Sequence, residues 1–319
     1  MSAGSQDSDS KTHQGGRIPG ISPAGEGAAA FMLETDAASS VPVLIAVPHA
    51  GRAYPPALLR DLRHPAQVAL RLEDRHVDRV AQAVAAATGA GLLVARAPRA
   101  MIDLNRAPED VDWDMFVREG RPANANAGAA SRRARTGLGL IPRRLPMLGE
   151  LWRRPHQPSE LAQRLTLIHE PYHAALGAAL AQVRERWGAA LLIDLHSMPP
   201  LPAHEGAPRI EAVVGDRFGA SCHGSLVAAA FAQLRSCGRE SAHNRPYAGG
   251  YVLERHAKPR RGIHAMQIEI DRSTYLDAAM TEPGPGMARW VEDLSALVRR
   301  LAVAVSEQGD GAAWPLAAE

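Results

Sequence analysis

Two histidines follow apolar stretches of the chain and could bind a metal ion. His49 comes just after the apolar run 41–47, and His196 comes directly after 189–195. Two histidines and one carboxylate with an open fourth position are typical of a catalytic zinc site. The chain has two cysteines, and they are not spaced as a CxxC pair, so a metal site here must use histidines and carboxylates.

Three acidic side chains compete for the place of the carboxylate ligand. Glu73, Asp74 and Asp78 lie close together near a predicted helix, and Asp74 and Asp78 are one helical turn apart on the same face. The same charges could simply form a solvated helix face. The residues alone therefore predict a site with two histidines and leave the choice of carboxylate open.

Other polar residues near predicted strand ends could complete the site. Arg106, in the segment Asp103-Leu104-Asn105-Arg106, has a planar guanidinium that suits a substrate carboxylate, and the alternative for it is a surface salt bridge. Asp194 lies two residues before His196 and could accept a hydrogen bond from the histidine's second ring nitrogen.

A third polar cluster supplies a candidate general base. Gln267, Glu269 and Asp271 alternate with isoleucines, which is typical either of an edge strand with one wet face or of a carboxylate aimed at the site. A carboxylate beside a metal can take a proton from water and pass it to the leaving amine, and Glu269 is the candidate for this role. Neither a GxSxG nor a GxxxxGK[ST] motif occurs, which argues against a serine hydrolase or a P-loop enzyme.

Apolar strands that alternate with helices must position these residues. Strands are predicted at 41–47, 91–95, 100–104, 189–195, 210–215 and 265–270, and helices at 65–88, 159–187, 224–237 and 285–306. This order predicts an α/β fold with a mainly parallel sheet and helices on both faces. Functional residues should then gather at the carboxyl ends of the strands.

The remaining sequence indicates how the chain is divided and which partners it favours. Residues 1–40 are rich in Ser, Gly, Ala and Asp, so we expect a flexible segment there and a single domain over 41–310. The stretch 107–158 is too long for a plain connection and is predicted to be an active-site insertion or lid. The net charge of +2 favours neither a nucleic-acid nor a membrane partner. No long apolar run or secretory signal is visible, which predicts a cytoplasmic protein.

Taken together, these polar clusters resemble the motifs of a known family. From about Val43 to Asp277 the chain resembles the N-formylglutamate amidohydrolase family. The matching segments, in order, are VPHAG at 47–51, EDRHVD at 73–78, DLNR at 103–106, TGLGLIPR at 136–143, HEPYHAAL at 169–176, LIDLHS at 192–197, GGYVLERH at 249–256 and GIHAMQIEIDRSTYLD at 262–277. The resemblance implies a three-layer α/β/α fold, with a mainly parallel or mixed sheet like that of zinc exopeptidases. It also implies hydrolysis of an N-acyl group, typically formate, from an acidic amino acid.

The resemblance also implies roles for individual residues. His49, Asp74 and His196 match the positions of metal ligands for Zn²⁺ or another divalent metal, and Glu269 matches the general base. The pair Asn105 and Arg106 resembles an Asn-Arg pair that holds a substrate carboxylate in zinc carboxypeptidases. Arg255 and His256 lie in a segment that resembles a substrate contact.

One departure from the peptidase pattern bears on the metal site, because Arg52 replaces the glutamate of the HxxE ligand pair. The resulting hypothesis is a metal-dependent amidohydrolase of a small N-acyl amino acid such as N-formylglutamate. The alternatives are a deacylase or carboxypeptidase-like hydrolase of larger substrates, and a non-catalytic binder of acidic metabolites.

Overall fold

A central mixed sheet of eight strands organises the chain in the computed structural model. The structure describes residues 10–21, 29–36, 40–123, 132–202, 206 and 208–309. The strands are β1 (Ser10–Gly15), β2 (Phe31–Asp36), β3 (Val43–Val47), β4 (Gly91–Ala95), β5 (Arg144–Leu145), β6 (Gly149–Glu150), β7 (Ala190–Met198), β8 (Ala212–Gly215), β9 (Ser241–His243) and β10 (Ile263–Asp271). Strands β5 and β6 form a separate small hairpin.

The sheet has the order β1-β2-β4-β3-β7-β10-β8-β9. Strands β4, β3, β7 and β10 are mutually parallel, whereas β2 runs antiparallel to β4 and β8 runs antiparallel to β10. From β3 the chain moves outward to β4 and later returns to β7 on the other side of β3. Such a switch point opens a crevice at the carboxyl ends of the strands, and this is where the sequence placed the site.

Helices cover both faces of the sheet, which confirms the predicted three-layer α/β/α class. They are α1 (Pro56–Asp61), α2 (Pro65–Leu72), α3 (Val77–Thr88), α4 (Arg132–Arg135), α5 (Pro158–Arg164), α6 (Glu170–Trp187), α7 (Gly224–Ser236), α8 (Tyr251–His256) and α9 (Met287–Ser306). No described helix is both long and apolar enough to cross a membrane.

Each central strand contributes to two hydrophobic cores because its side chains alternate between the faces. In β3, Leu44 and Ala46 face the core that contains α6, whereas Val43, Ile45 and Val47 face the core that contains α3, α7 and α9. These five side chains are almost fully buried. The continuous apolar run of β3 is therefore explained by burial on both sides.

Ordered structure begins earlier than the sequence analysis predicted. Within 1–40 the described parts include β1 and β2, which pair antiparallel and join the central sheet through β4. The expected boundary at residue 41 is therefore wrong, because Phe31 and its neighbours belong to the same core as β3. Residues 1–9, 22–28 and 37–39 lie outside the described part of the chain.

Two predicted elements also differ from the structure. The helix predicted over 65–88 is two helices, α2 and α3, separated by residues 73–76. Glu73 is extended, and His76 adopts a left-handed conformation with φ of 57°, so the helical path is interrupted there. The segment 100–104, which was expected to be a strand, forms turns instead. Its apolar side chains are buried in the core although its backbone is not part of the sheet.

The described parts of the stretch 107–158 pack into the molecule and border the site. They include the hairpin of β5 and β6, and Leu140 and Leu151 are buried in the core that contains α6. Leu138 and Leu145 line the cavity described below. Residues 124–131 lie outside the described residues.

Candidate metal centre and active-site cavity

His49 is held by a carboxylate directly behind it. Its Nε2 lies 2.7 Å from Oδ1 of Asp103, and because a carboxylate only accepts, this nitrogen carries the proton. Asp103 is itself fixed by Nε of Arg99 at 2.8 Å and by the backbone N–H of Asn105 at 2.8 Å. The ring therefore has a set orientation, with Nδ1 left to face the cavity side.

His196 is oriented in the same manner. Strand β7 continues to Met198, beyond its predicted end, so Asp194 and His196 point to the same face of the sheet. His196 Nε2 lies 3.0 Å from Oδ2 of Asp194, which agrees with the predicted acceptor role of that carboxylate. His196 Nδ1 lies 3.0 Å from Oδ2 of Asp74.

Asp74 completes a group of three possible ligands. Its Oδ2 lies 3.6 Å from His49 Nδ1, and one atom from each of His49, Asp74 and His196 can be chosen so that all lie within 4.8 Å of one another. The backbone N–H of Asp74 donates to the carbonyl of His49 at 2.9 Å, which ties the break between α2 and α3 to the end of β3. All three side chains are buried.

The two competing carboxylates are engaged elsewhere. Arg52 donates two hydrogen bonds to Asp78, at 3.1 Å and 2.6 Å, so the residue that replaces the HxxE glutamate removes one competitor. Arg75 pairs with Glu73 at 3.0 Å. Of the three acidic residues, only Asp74 meets both histidines, which favours the choice that the family resemblance implied.

The pKa values of Asp74 and His196 are shifted by their mutual contact and by burial. Burial alone would raise the pKa of Asp74, but hydrogen bonds with His196 and His49 hold it well below its usual value. Burial alone would lower the pKa of His196, but Asp194 and Asp74 raise it well above its usual value. Asp74 is therefore held in its ionised form, and the carboxylates of Asp194 and Asp74 stabilise positive charge at His196.

Glu269 lies beside His196 on the neighbouring strand. In the parallel register of β7 and β10, Glu269 is the partner of His196, and Gln267 is the partner of Asp194. Strand β10 is interior, between β7 and β8, so the alternative of an edge strand with one wet face is wrong. Gln267 donates to Glu269 Oε1 at 2.8 Å, and burial raises the pKa of Glu269 to about 7.

These groups line one cavity of about 220 Å³ at the carboxyl ends of β3, β7 and β10. Asn105 and Arg106, the predicted substrate-binding residues, also line it. Nε of Arg106 donates to the carbonyl of Leu138 at 2.9 Å and its Nη1 donates to that of Asn105 at 3.1 Å, which fixes the guanidinium against the loop. Other guanidinium groups at the wall come from Arg71, Arg99 and Arg272.

The two other predicted substrate contacts, Arg255 and His256, do not line this cavity. Arg255 points to the exposed side of α8, where it donates to the hydroxyl of Tyr251 at 2.7 Å. His256 is buried, and its Nε2 lies 2.9 Å from Nδ1 of His173. Their segment is close to the site because Gly249 and Gly250 line the cavity, but these two side chains face away from it.

Sequence reasoning assigned no role to two residues that fix the ligands. Asp103 orients His49, and Arg272 donates to Asp74 Oδ1 at 2.8 Å and to the Ser197 hydroxyl at 3.0 Å. Both belong to segments in which the sequence pattern points to other residues. An aspartate two positions before Asn105 was a usable signal for the first, whereas the contact of Arg272 spans 198 residues of chain and carries no local signal.

The chain is similar in sequence to known proteins. The family model for N-formylglutamate amidohydrolase matches residues 41–276. A protein from Pseudomonas aeruginosa named N-formylglutamate deformylase is 30% identical over 241 residues, which cover 74% of this chain and 83% of that protein. A protein of the same name from Pseudomonas putida is 30% identical over 247 residues, covering 76% and 84%.

A solved structure extends the similarity to three dimensions. The crystal structure of N-formylglutamate amidohydrolase from Ralstonia eutropha is 31% identical and has a TM-score of 0.78. The match covers 88% of this chain and 99% of that one. The chain therefore belongs to the N-formylglutamate amidohydrolase family and is a hydrolase that acts on amide bonds.

Proposed function

We propose that the protein is a metal-dependent amidohydrolase that removes an N-formyl group from an acidic amino acid such as N-formylglutamate. The observation that carries this proposal is the meeting of His49, Asp74 and His196 in a small cavity beside the buried carboxyl group of Glu269. Family membership supports the amide substrate, and the donor set supports the metal.

The three ligand side chains fit a divalent cation, and zinc is the metal we propose. The Nε2 atoms of both histidines face carboxylates, so the Nδ1 atoms can offer lone pairs towards Asp74. Two imidazoles and a carboxylate match a catalytic zinc site with one open position. When bound, such an ion supplies Lewis acidity, which polarises a carbonyl and lets water ionise near neutral pH.

Glu269 moves the proton in this proposal. Its carboxylate accepts a proton as water adds to the formyl carbon, and the protonated acid then donates it to the amine as the carbon–nitrogen bond breaks. The products are formate and the free amino acid. A base with a pKa of about 7 suits both steps at neutral pH, and Gln267 holds one carboxyl oxygen in place at 2.8 Å.

Asn105 and Arg106 select the acidic substrate. Arg106 lies at the wall of the cavity, and a guanidinium there attracts a substrate carboxylate. A cavity of about 220 Å³ is smaller than those that enclose drug-sized ligands, so it favours a formyl group over a long acyl chain.

Release of formate from a substrate panel tests this proposal. Purified protein is offered N-formylglutamate, N-acetylglutamate and N-succinylglutamate, and the free glutamate formed is measured. We expect turnover to be fastest with the formyl compound and to fall as the acyl group grows. Preference for the longer acyl groups would favour the alternative deacylase, and absence of hydrolysis with all three would favour a binding protein.

A further inference from the structure

Three buried histidines lie behind the loop that carries Asn105 and Arg106. His169 and His173 are one helical turn apart at the start of α6, with ring centroids separated by 4.4 Å. His256 stacks on His173 from α8, at a centroid distance of 5.2 Å. All three rings are buried, and none of them lines the active-site cavity.

Two of these rings bond to the backbone on either side of Asn105. His173 Nε2 lies 3.0 Å from the carbonyl oxygen of Leu104, and His169 Nε2 lies 2.9 Å from that of Arg106. A carbonyl oxygen only accepts, so both rings must carry a proton on Nε2. The loop is therefore held at the backbone carbonyls on either side of Asn105.

The tautomer of His173 determines which nitrogen of His256 carries the proton. His173 Nδ1 lies 2.9 Å from His256 Nε2, and it must accept this hydrogen bond because the proton of His173 is on Nε2. Burial lowers the pKa of His173 well below its usual value and that of His256 to about 3, so both rings are neutral at pH 7. The tautomers of all three rings are then defined by their partners.

The start of α8 holds the side chain of Asn105 from the opposite side. The Asn105 Oδ1 accepts a hydrogen bond from the backbone N–H of Val252 at 2.9 Å. A Cβ atom at Gly250 would lie 2.5 Å from that oxygen, so only glycine allows the approach. The Nδ2 atom of Asn105 is thereby turned towards Gln267 Oε1, at 3.4 Å, in the cavity wall.

We infer that His169, His173 and His256 are positioning residues that hold Asn105 and Arg106 for recognition of the substrate carboxylate. His169 and His173 act on the loop directly, and His256 acts on it through His173. This inference rests on the proposed function. It explains why the segment of His256 resembles a substrate contact even though its side chain faces away from the cavity.

Substrate discrimination tests the inference in the metal-loaded enzyme. The measurement is the ratio of kcat/KM for N-formylglutamate to that for N-formylglutamine. The second compound has an amide in place of the side-chain carboxylate. We expect His173→Ala to lower this ratio by at least about tenfold through a higher KM for the acidic substrate. His173→Gln keeps an N–H that can reach the Leu104 carbonyl and should recover most of the ratio.

His156 supplies a matched control for loss of a buried ring. It is fully buried and packs on Trp152 and Phe116 without contacting the loop. His156→Ala should lower thermal stability and leave the ratio unchanged. If His173→Ala does not fold, His256→Ala serves instead, because His256 is the hydrogen-bond partner of His173. An equal fall of kcat/KM for both substrates in the histidine variants would overturn the inference.

A spectroscopic measurement separates this inference from the proposed function. ¹⁵N chemical shifts of the imidazoles report tautomers without any substrate. We expect His169, His173 and His256 to be neutral and protonated on Nε2 between pH 6 and 8. Protonation of His173 on Nδ1 would overturn the inference. If the wild-type protein hydrolyses neither formyl compound, the proposed function fails, and the tautomers still decide whether the loop is held as described.

Discussion

The two faces of the sheet differ at the carboxyl end of β7. On the face covered by α3, α7 and α9, Leu191, Ile193 and Leu195 remain apolar to the end of the strand. On the opposite face, Ala190 and Leu192 belong to the core, and the next two positions are Asp194 and His196. Both faces are equally buried there, so burial alone does not explain the change of residue type.

Strand β10 repeats the difference. Met266, Ile268 and Ile270 belong to the apolar face, whereas Ala265 is followed by Gln267 and Glu269 on the other. A buried carboxyl group is costly unless charges or hydrogen bonds compensate for the lost water. Polar residues at these positions therefore lower the stability of the fold, and their function explains their presence. Substitutions on the polar face should mainly affect activity, and those on the apolar face should mainly affect stability.

The largest effect should come from Glu269→Gln. Loss of the general base is expected to lower kcat by about a thousandfold while metal content stays the same. Its neighbour Ile268 points to the apolar face, so Ile268→Val should cost about 1 kcal/mol of unfolding free energy and leave kcat unchanged. Steady-state kinetics and denaturant titration measure both variants, and near-wild-type turnover in Glu269→Gln would refute the assignment of the base.

The choice among the carboxylates predicts a contrast in metal binding. Asp74→Asn should weaken metal affinity by more than about a hundredfold, because the residue would contact the ion directly. Asp78→Asn should leave affinity within a few-fold of wild type, since Asp78 pairs with Arg52 instead. Competition with a chelator measures both constants. Equal losses in the two variants would mean that the ligand set is misassigned.

A smaller loss of metal affinity is expected for Asp103→Asn. The substitution removes the charge behind His49 but not the ligand itself, so affinity should fall by roughly 10- to 100-fold. Metal titration followed by intrinsic fluorescence or calorimetry gives the constant, and a thermal melt with metal present checks that the variant is folded. Unchanged affinity would show that this carboxylate does not tune the site.

The smallest effect should come from a change of pH. On the acid side of the profile, kcat/KM should fall about tenfold for each pH unit. Glu269 must be ionised to accept a proton, and its pKa is raised by burial to about 7. A bound cation would lower that pKa, so the acid side of the profile should lie at or below pH 7, with activity falling as pH falls. Activity that rises between pH 7 and pH 5 would contradict a carboxylate base.

Much of the fold could be predicted because the buried strands have simple patterns. The apolar runs of β3 and β7 predicted the sheet, and they placed His49 and His196 at its carboxyl edge. Strand β1 could not be predicted in this manner, because Ser10–Gly15 is polar and depends on pairing with β2. The break at 73–76 was also missed, because helical apolar spacing continues across it.

The residue types of the candidate metal site could be predicted from the sequence. The choice between neighbouring candidates depends on long-range contacts. Asp74 differs from Asp78 through the pairing of Arg52 with the latter, 26 residues away in sequence. His256 was predicted as a substrate contact because sequence patterns do not distinguish a residue that touches substrate from one that supports the loop beside it. Its partner His173 lies 83 residues away.

Metal reconstitution tests the central claim most directly. The protein is stripped with a chelator, its metal content is determined, and formate release from N-formylglutamate is followed while zinc is added back. The account predicts negligible turnover in the stripped protein and full recovery at about one equivalent per chain. Full turnover in demonstrably metal-free protein would contradict it.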